Sequence, residues 1–137
     1  GLTYSGHPAA CAAGLETLRI LRESNIIETA ATELAPHFQS RLQELADHPI
    51  VGQVRGKGMF AAVELVSDKA SRERLAPESE GAVFCRDTAN RNGLMVRQTG
   101  DAMITAPPLV CSTEEIDILA DKLRIALDET ASHYGIK

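Results

Sequence analysis

The sequence predicts an α+β fold in which a small, mainly antiparallel sheet is covered by helices. Three observations predict it: amphipathic segments with helical periodicity towards both ends of the chain, a short apolar run in the middle, and two further short apolar runs around a glycine turn. The chain has 137 residues, of which 44% are hydrophobic, and this is enough for a real core.

The N-terminal third of the chain predicts two helical segments. Leucines recur at helical spacing towards the end of residues 9–22, which predicts the first helix. A stronger apolar stripe predicts a second helix over residues 27–45. Asn25 and Glu28 have the spacing of a capping box before it, and Pro36 is expected to kink or split it.

The middle of the chain predicts one strand between a turn and a loop. Residues 55–58 contain two glycines and are expected to form a turn. Residues 59–66 are apolar at both odd and even positions except for Glu64, which predicts a strand covered on both faces. The polar residues 67–80 predict a loop, and residues 81–91 a short helix.

The C-terminal part predicts a hairpin followed by a helix. Strands are expected at residues 94–98 and 102–106, because Gly100 between them can adopt a positive φ. Either Ser112 or Thr113 is expected to cap the last helix.

The last helix has its apolar stripe over residues 116–127. We expect this stripe and that of residues 27–45 to lack full cover within this chain, which would favour self-association. The residues after Thr130 are expected to fray.

Composition and charge argue against several functional classes. The net charge is −5 with no basic stripe, so no nucleic acid partner is expected. The apolar runs are too short to span a membrane, and the four scattered histidines predict no metal site. Cys11, Cys85 and Cys111 are odd in number and far apart, which predicts free thiols in a reducing compartment and a cytoplasmic protein.

Three stretches indicate a family. They read GLTYSGHPAACAA at residues 1–13, VRGKGM at residues 54–59, and GLMVRQTGD at residues 93–101 followed by APPL at residues 106–109. In this order and at these separations they resemble class III aminotransferases, enzymes of fold type I that use pyridoxal 5'-phosphate (PLP). The omega-transaminases, including those that use pyruvate as amino acceptor, are the most similar.

The resemblance implies the architecture and the activity. The chain would be the C-terminal part of a subunit in a homodimer or higher homo-oligomer. Residues 1–48 would supply the end of the large domain and connecting helices, and residues 49–137 the small C-terminal α+β domain. The complete enzyme would transfer an amino group between a small-molecule amine or amino acid and a keto acid such as pyruvate. Because Gly1 lies almost within a motif, we expect the chain to be a fragment.

The resemblance also implies that no catalytic residue lies in this chain. In the family a lysine holds PLP as a Schiff base. Lys57, Lys69, Lys122 and Lys137 are the lysines here, and none matches the sequence context of the family's lysine. The chain alone is therefore expected to be inactive.

Cofactor contacts are implied at the first motif. Thr3 would donate its hydroxyl to the phosphate of the PLP bound by the partner subunit, and Ser5 would contribute to the same site. Tyr4 would form part of the substrate pocket wall. The alternatives are that Thr3 is a cap or turn residue ahead of the helix that follows Pro8, and that Tyr4 and Ser5 serve turn and interface packing.

Arg97 is the second substrate-binding residue that the resemblance implies. A guanidinium binds a carboxylate through two parallel hydrogen bonds, which suits an amino acid or keto acid. The alternative is an exposed hairpin arginine paired with Asp101 or Glu64.

Two other functions stay open on the sequence. The chain could be a non-catalytic α+β dimerisation or binding module, or it could belong to a class III aminomutase or decarboxylase.

Overall fold

The computed structural model of the protein describes residues 2–3, 5–75, 77 and 79–136. The helices are α1 (Pro8–Glu23), α2 (Ile26–Thr29), α3 (Ala35–Gln43), α4 (Glu80–Arg91) and α5 (Thr113–Tyr134), and the strands are β1 (Val51–Lys57), β2 (Phe60–Leu65), β3 (Arg97–Thr99) and β4 (Ala102–Thr105). A π-helical turn, Ala30–Leu34, precedes α3 and a 3-10 turn, Glu44–Asp47, follows it.

The strands form one antiparallel sheet in the order β1-β2-β4-β3. This confirms the predicted α+β fold with a small antiparallel sheet. The turn between β3 and β4 is centred on Gly100, whose φ of 56° lies in the left-handed region that glycine adopts without strain.

Strand β1 corrects the expectation that residues 55–58 form a turn. The chain is extended through Lys57, and the turn begins at Gly58, whose φ is 61°. Gly56 is in the strand because the neighbouring strand comes close: an added Cβ would lie 2.5 Å from the backbone oxygen of Phe60 and 2.8 Å from the Cβ of Ala61. This glycine therefore marks a close approach within a strand.

The second helical segment is less regular than predicted. Asn25 has a φ of 52° and makes no capping hydrogen bond through its side chain, so the predicted capping box is wrong. Pro36 lies in the first turn of α3, directly after the π-helical turn. Its nitrogen cannot donate to the carbonyl of Thr32, and the helix type changes at this point.

Helices α3, α4 and α5 pack with the sheet around one core. The expectation that the two amphipathic stripes lack cover is wrong for most of their residues, because the stripes pack against each other and against the sheet. Ile27 at the start of the first stripe is 54% exposed. The buried stripe residues are Leu34, Phe38, Leu42, Leu45, Ile116, Leu123 and Leu127.

The end of α5 is ordered by packing and by a glycine cap. Thr130 and Ala131 are buried, and the helix continues to Tyr134. Gly135 follows with a φ of 68°, and the N–H of Ile136 donates to the carbonyl of Ala131 at 2.9 Å. The predicted fraying after Thr130 is therefore wrong, because these bonds satisfy the last carbonyls of the helix.

Helix α1 confirms the predicted first helix and lies outside the core. None of its residues is buried. Leu15, Leu18 and Ile20 are 70%, 52% and 43% exposed. The residues of α3 share the core of the sheet. The division between residues 1–48 and 49–137 stays a prediction.

Candidate functional site

One face of the sheet is left open by the helices. Ala61, Val63 and Leu65 of β2 are fully buried on the core side. The alternate residues of β2 project to the other face, where Phe60 is 55% exposed. On this open face, one cross-strand row is formed by Arg55, Ala62, Ile104 and Arg97.

Arg97 lies at the end of this row, on the edge strand β3. It is exposed, and its guanidinium has no hydrogen-bond or ion-pair partner within the part of the chain that the structure describes. The alternative that Arg97 is paired with Asp101 or Glu64 is wrong. Glu64 pairs with Arg55 on the same face, and Asp101 faces the loop before α4.

Asp101 anchors the hairpin that presents Arg97. Its side chain is only 7% exposed, and its Oδ1 accepts a hydrogen bond from the backbone N–H of Ser79 at 2.9 Å. Its backbone oxygen accepts from the N–H of Leu65 at 2.8 Å. The β3–β4 turn is thus tied both to β2 and to the start of α4, and this gives Arg97 a rigid base.

The first motif forms a turn ahead of α1. The backbone N–H of Ser5 donates to the carbonyl of Leu2 at 3.0 Å. Thr3 and Ser5 are exposed, and their hydroxyls have no hydrogen-bond partner among the residues described. The cap of α1 comes from His7, whose Nδ1 accepts from the N–H of Ala10 at 3.4 Å, so Thr3 does not cap the helix. Thr3 does lie in the turn ahead of the helix, as the other alternative for this residue predicts. Tyr4, a predicted substrate residue, lies outside the described residues.

The structure does not join the two predicted parts of the site. No hydrogen bond or ion pair within residues 2–3, 5–75, 77 and 79–136 connects Thr3 or Ser5 with Arg97. Two free hydroxyls on a turn fit the phosphate end of PLP, because hydroxyl and N–H donors satisfy phosphate oxygens.

The described lysines do not fit the anchoring role. Lys69 donates from its Nζ to the carbonyl of Ala46 at 2.6 Å, and Lys122 to that of Gly93 at 3.2 Å. Lys57 ends β1 on the surface. Lys137 lies outside the described residues. The residues that the structure describes therefore fit a phosphate contact with PLP and not its covalent anchor.

Burial disfavours ionisation of the Cys85 thiol. Burial raises the pKa of Cys85 to about 11, so the thiol is protonated at neutral pH. Burial and the neighbouring Glu115 also raise the pKa of Cys111. Among the described residues, no group of three or more His, Cys, Asp or Glu side chains is placed to hold a metal ion. In the same part of the chain, no helix has both the length and the apolar character needed to cross a membrane.

Sequence reasoning missed the residue opposite Arg97. Thr99 pairs with Ala102 across the turn, which places Ile104 directly opposite Arg97. Counting outward from the predicted turn, with strands at residues 94–98 and 102–106, would have placed Met103 opposite Arg97. The structure includes Thr99 in β3, and this shifts the register so that Ile104 lies opposite Arg97. The Arg55–Glu64 pair could not be predicted from the sequence, because the sequence pattern predicts Arg55 in a turn and not in a strand.

The fold matches solved structures closely. The omega transaminase from Pseudomonas jessenii, solved in complex with PMP, superposes with a TM-score of 0.93 and 37% sequence identity, over 98% of this chain and 30% of that one. The fold is therefore that of part of a transaminase subunit. The model of the family described as aminotransferase class-III matches residues 1–127. The chain belongs to the class-III aminotransferase family.

Curated relatives agree with this assignment. The putrescine–pyruvate aminotransferase of Pseudomonas aeruginosa is 53% identical over 132 residues, which are 96% of this chain and 29% of that protein. Gamma aminobutyrate transaminase 1, mitochondrial, of Solanum lycopersicum is 38% identical over 130 residues, which are 95% of this chain and 25% of that protein. The chain thus spans less than a third of the length of these relatives.

Proposed function

We propose that this chain is part of the subunit of a PLP-dependent transaminase that transfers an amino group between a primary amine or amino acid and a keto acid. The carrying observation is that the guanidinium of Arg97 lies on the open sheet face with no partner in the described part of the chain. The 53% identity to a putrescine–pyruvate aminotransferase supports the same reaction. Putrescine as donor and pyruvate as acceptor are therefore the first substrates to test. We further infer a cytoplasmic homodimer.

The cofactor role of this chain is confined to the phosphate. Bound PLP supplies the electron sink for the reacting carbon of the amino donor. Thr3 and Ser5 of one subunit would donate hydroxyl hydrogen bonds to the phosphate held by the partner subunit. The lysine that anchors PLP would lie outside these 137 residues, and the chain alone would not catalyse transamination.

Arg97 would select and orient the keto acid. Two parallel N–H···O bonds fix both the position and the plane of a carboxylate, which a lysine could not do. An edge strand suits this role, because the side chain has open solvent beside it and can turn away when the substrate carries no carboxylate.

The alternatives are less well supported. The relatives described above are named for amino transfer, which favours a transaminase over an aminomutase or a decarboxylase. A simple binding module would need neither exposed hydroxyls at Thr3 and Ser5 nor a guanidinium at Arg97 that no described residue binds.

The test is Arg97→Ala in the complete enzyme, with putrescine as donor. Loss of one partner of a charged hydrogen-bonded pair costs at least about 2 kcal/mol, so kcat/KM for pyruvate should fall roughly 30-fold or more, mainly through KM. Turnover with an uncharged aldehyde acceptor should change little.

Arg55→Lys is the matched control, because Arg55 lies in the same cross-strand row and a lysine keeps a cation beside its partner Glu64. It should leave the use of both acceptors nearly unchanged. Equal losses on pyruvate and on the aldehyde in Arg97→Ala would contradict the carboxylate role.

A further inference from the structure

The open sheet face carries two arginines in opposite states. Arg55 and Arg97 occupy the two ends of one cross-strand row, and both are exposed. Arg55 is paired with Glu64, whereas Arg97 has no partner among the described residues. The same sheet therefore carries one guanidinium in an ion pair and one with no partner in the part of the chain that the structure describes.

The two arginines differ in the residue that lies opposite each of them across the sheet. Arg55 faces Ala62, a side chain short enough to let Arg55 reach diagonally to Glu64 on β2. Arg97 faces Ile104 on β4, which is half-buried and offers no hydrogen-bonding atom. Directly opposed side chains have Cβ atoms about 4.5–5.5 Å apart, so an acidic residue at position 104 would meet the guanidinium.

The other nearby carboxylates are already engaged. Glu64 is held by Arg55, and Asp101 is buried with its Oδ1 on the N–H of Ser79. The Oδ2 of Asp101 also lies 3.6 Å from Nε of Arg74. No intramolecular anion among the described residues thus competes for Arg97.

We infer that Ile104 is a specificity-determining residue of the carboxylate site. Its apolar side chain opposite Arg97 withholds an ion-pair partner and keeps the guanidinium available to the carboxylate of the substrate. This inference rests on the proposed role of Arg97. Arg97 and Ile104 together, and not Arg97 alone, would then determine whether the enzyme prefers keto acids or uncharged acceptors.

The experiment uses Ile104→Glu in the complete enzyme, which places a carboxylate opposite Arg97 where it competes with the carboxylate of the substrate. Ile104→Gln is the control, because glutamine has nearly the same shape as glutamate but no charge. Steady-state kinetics are measured with putrescine as donor and either pyruvate or an uncharged aldehyde as acceptor. In Ile104→Glu, KM for pyruvate should rise at least about tenfold relative to Ile104→Gln, as expected when a close charge pair forms. Turnover of the aldehyde should be nearly equal in the two variants.

A double-variant cycle separates this inference from the proposed function. If the introduced carboxylate captures Arg97, adding Arg97→Ala to Ile104→Glu should have little further effect on pyruvate. A selective loss of pyruvate use in Arg97→Ala combined with equal pyruvate kinetics in Ile104→Glu and Ile104→Gln would overturn the inference and leave the proposed function intact. No selective loss in Arg97→Ala would overturn both.

A second site keeps the test decisive if Ile104→Glu folds poorly. Thr99 is exposed and lies two residues from Arg97 on the same strand, and so on the same face. Thr99→Glu should give the same selective loss of pyruvate relative to Thr99→Gln. Equal pyruvate kinetics in that pair would also count against the inference.

Discussion

Asp117 shows how a single side chain joins two helices of the core. Its Oδ1 accepts hydrogen bonds from Nε2 of His37 and from Nε of Arg41, both at 2.8 Å, so one carboxylate of α5 holds two residues of α3. The hydrogen bond from His37 lowers the pKa of Asp117, and Arg41 adds to this effect, while partial desolvation opposes it.

The lowered pKa of Asp117 predicts a pH-dependent contribution to stability. A carboxyl whose pKa is lower in the folded state stabilises the fold above its unfolded pKa of about 3.9. This stabilisation is lost as the pH falls through the folded pKa. Urea unfolding should therefore show Asp117→Asn to be less stable than the parent at pH 7, with the two midpoints converging as the pH falls below the folded pKa.

Asp121→Asn is the control for this prediction, because the hydrogen bond of Asp121 to Nη2 of Arg41 is its one side-chain hydrogen bond among the described residues and its side chain is 68% exposed. Its effect at pH 7 should be smaller, as exposed ion pairs contribute little. A constant difference between Asp117→Asn and the parent across the pH range would show that the carboxylate charge is not responsible.

At the scale of the element, Gly56 allows β1 and β2 to approach each other closely. Gly56 leaves room for the backbone oxygen of Phe60 and for the side chain of Gln39, whose Nε2 donates to the carbonyl of Gly58 at 2.8 Å. The tip of the β1–β2 hairpin is thereby fixed to α3. The row that ends at Arg97 begins at Arg55 on this strand, so β1 sets the far side of the open face.

Gly56→Ala should destabilise the protein by about 1–3 kcal/mol, because the added methyl group overlaps backbone that cannot move freely. The measurement is the urea midpoint of the 137-residue chain. Gly14→Ala on α1 is the matched control, since nothing lies within 4 Å of its added Cβ. That control should leave the midpoint unchanged or slightly raised. A similar midpoint in Gly56→Ala and the parent would mean that the hairpin relaxes around the methyl group.

At the scale of the whole molecule, the exposed positions of Thr3 and α1 suit a contact between subunits. No residue of α1 is buried, and its apolar side chains face solvent in the single chain. In the proposed homodimer, Thr3 of one subunit would serve the cofactor of the other. Whether Thr3 acts across the subunit interface can be tested by measuring PLP binding, without measuring activity.

Thr3→Ala should weaken PLP binding by the complete enzyme. One hydrogen bond to a charged group contributes about 1.5–3 kcal/mol, which corresponds to roughly a 10- to 100-fold higher Kd for PLP. Absorbance titration of the apoenzyme measures this Kd, and Thr3→Ser should restore most of the affinity because it keeps the hydroxyl.

Mixed dimers test whether Thr3 acts across the interface. When one subunit carries Thr3→Ala and the other lacks the anchoring lysine, the surviving site uses an intact Thr3 and should bind PLP normally. When both changes are in the same subunit, the surviving site meets the truncated side chain and should bind PLP weakly. The reverse ranking would show that Thr3 serves its own subunit.

Much of the fold could be predicted because its signals are local. Ser112 makes the capping box with Glu115 at the start of α5, which resolves the choice between Ser112 and Thr113. Gly100 forms the predicted turn between β3 and β4. The errors occurred where a residue type that usually has a local role is required by a tertiary contact. The two glycines of residues 55–58 predict a turn, but Gly56 lies in a strand and is needed there because strand pairing brings Phe60 close to it.

The sequence by itself determined the fold class through periodicity. Motifs that resemble class III aminotransferases indicated the family and implied the candidate residues Thr3, Ser5, Tyr4 and Arg97. Only the tertiary structure decided which groups are free. Arg97 has no partner among the residues described, because strand register places Ile104 opposite it and because Glu64 pairs with Arg55. Hydrogen bonds and ion pairs depend on distances of a few ångströms between segments far apart in sequence, and these distances arise only when the sheet and helices pack.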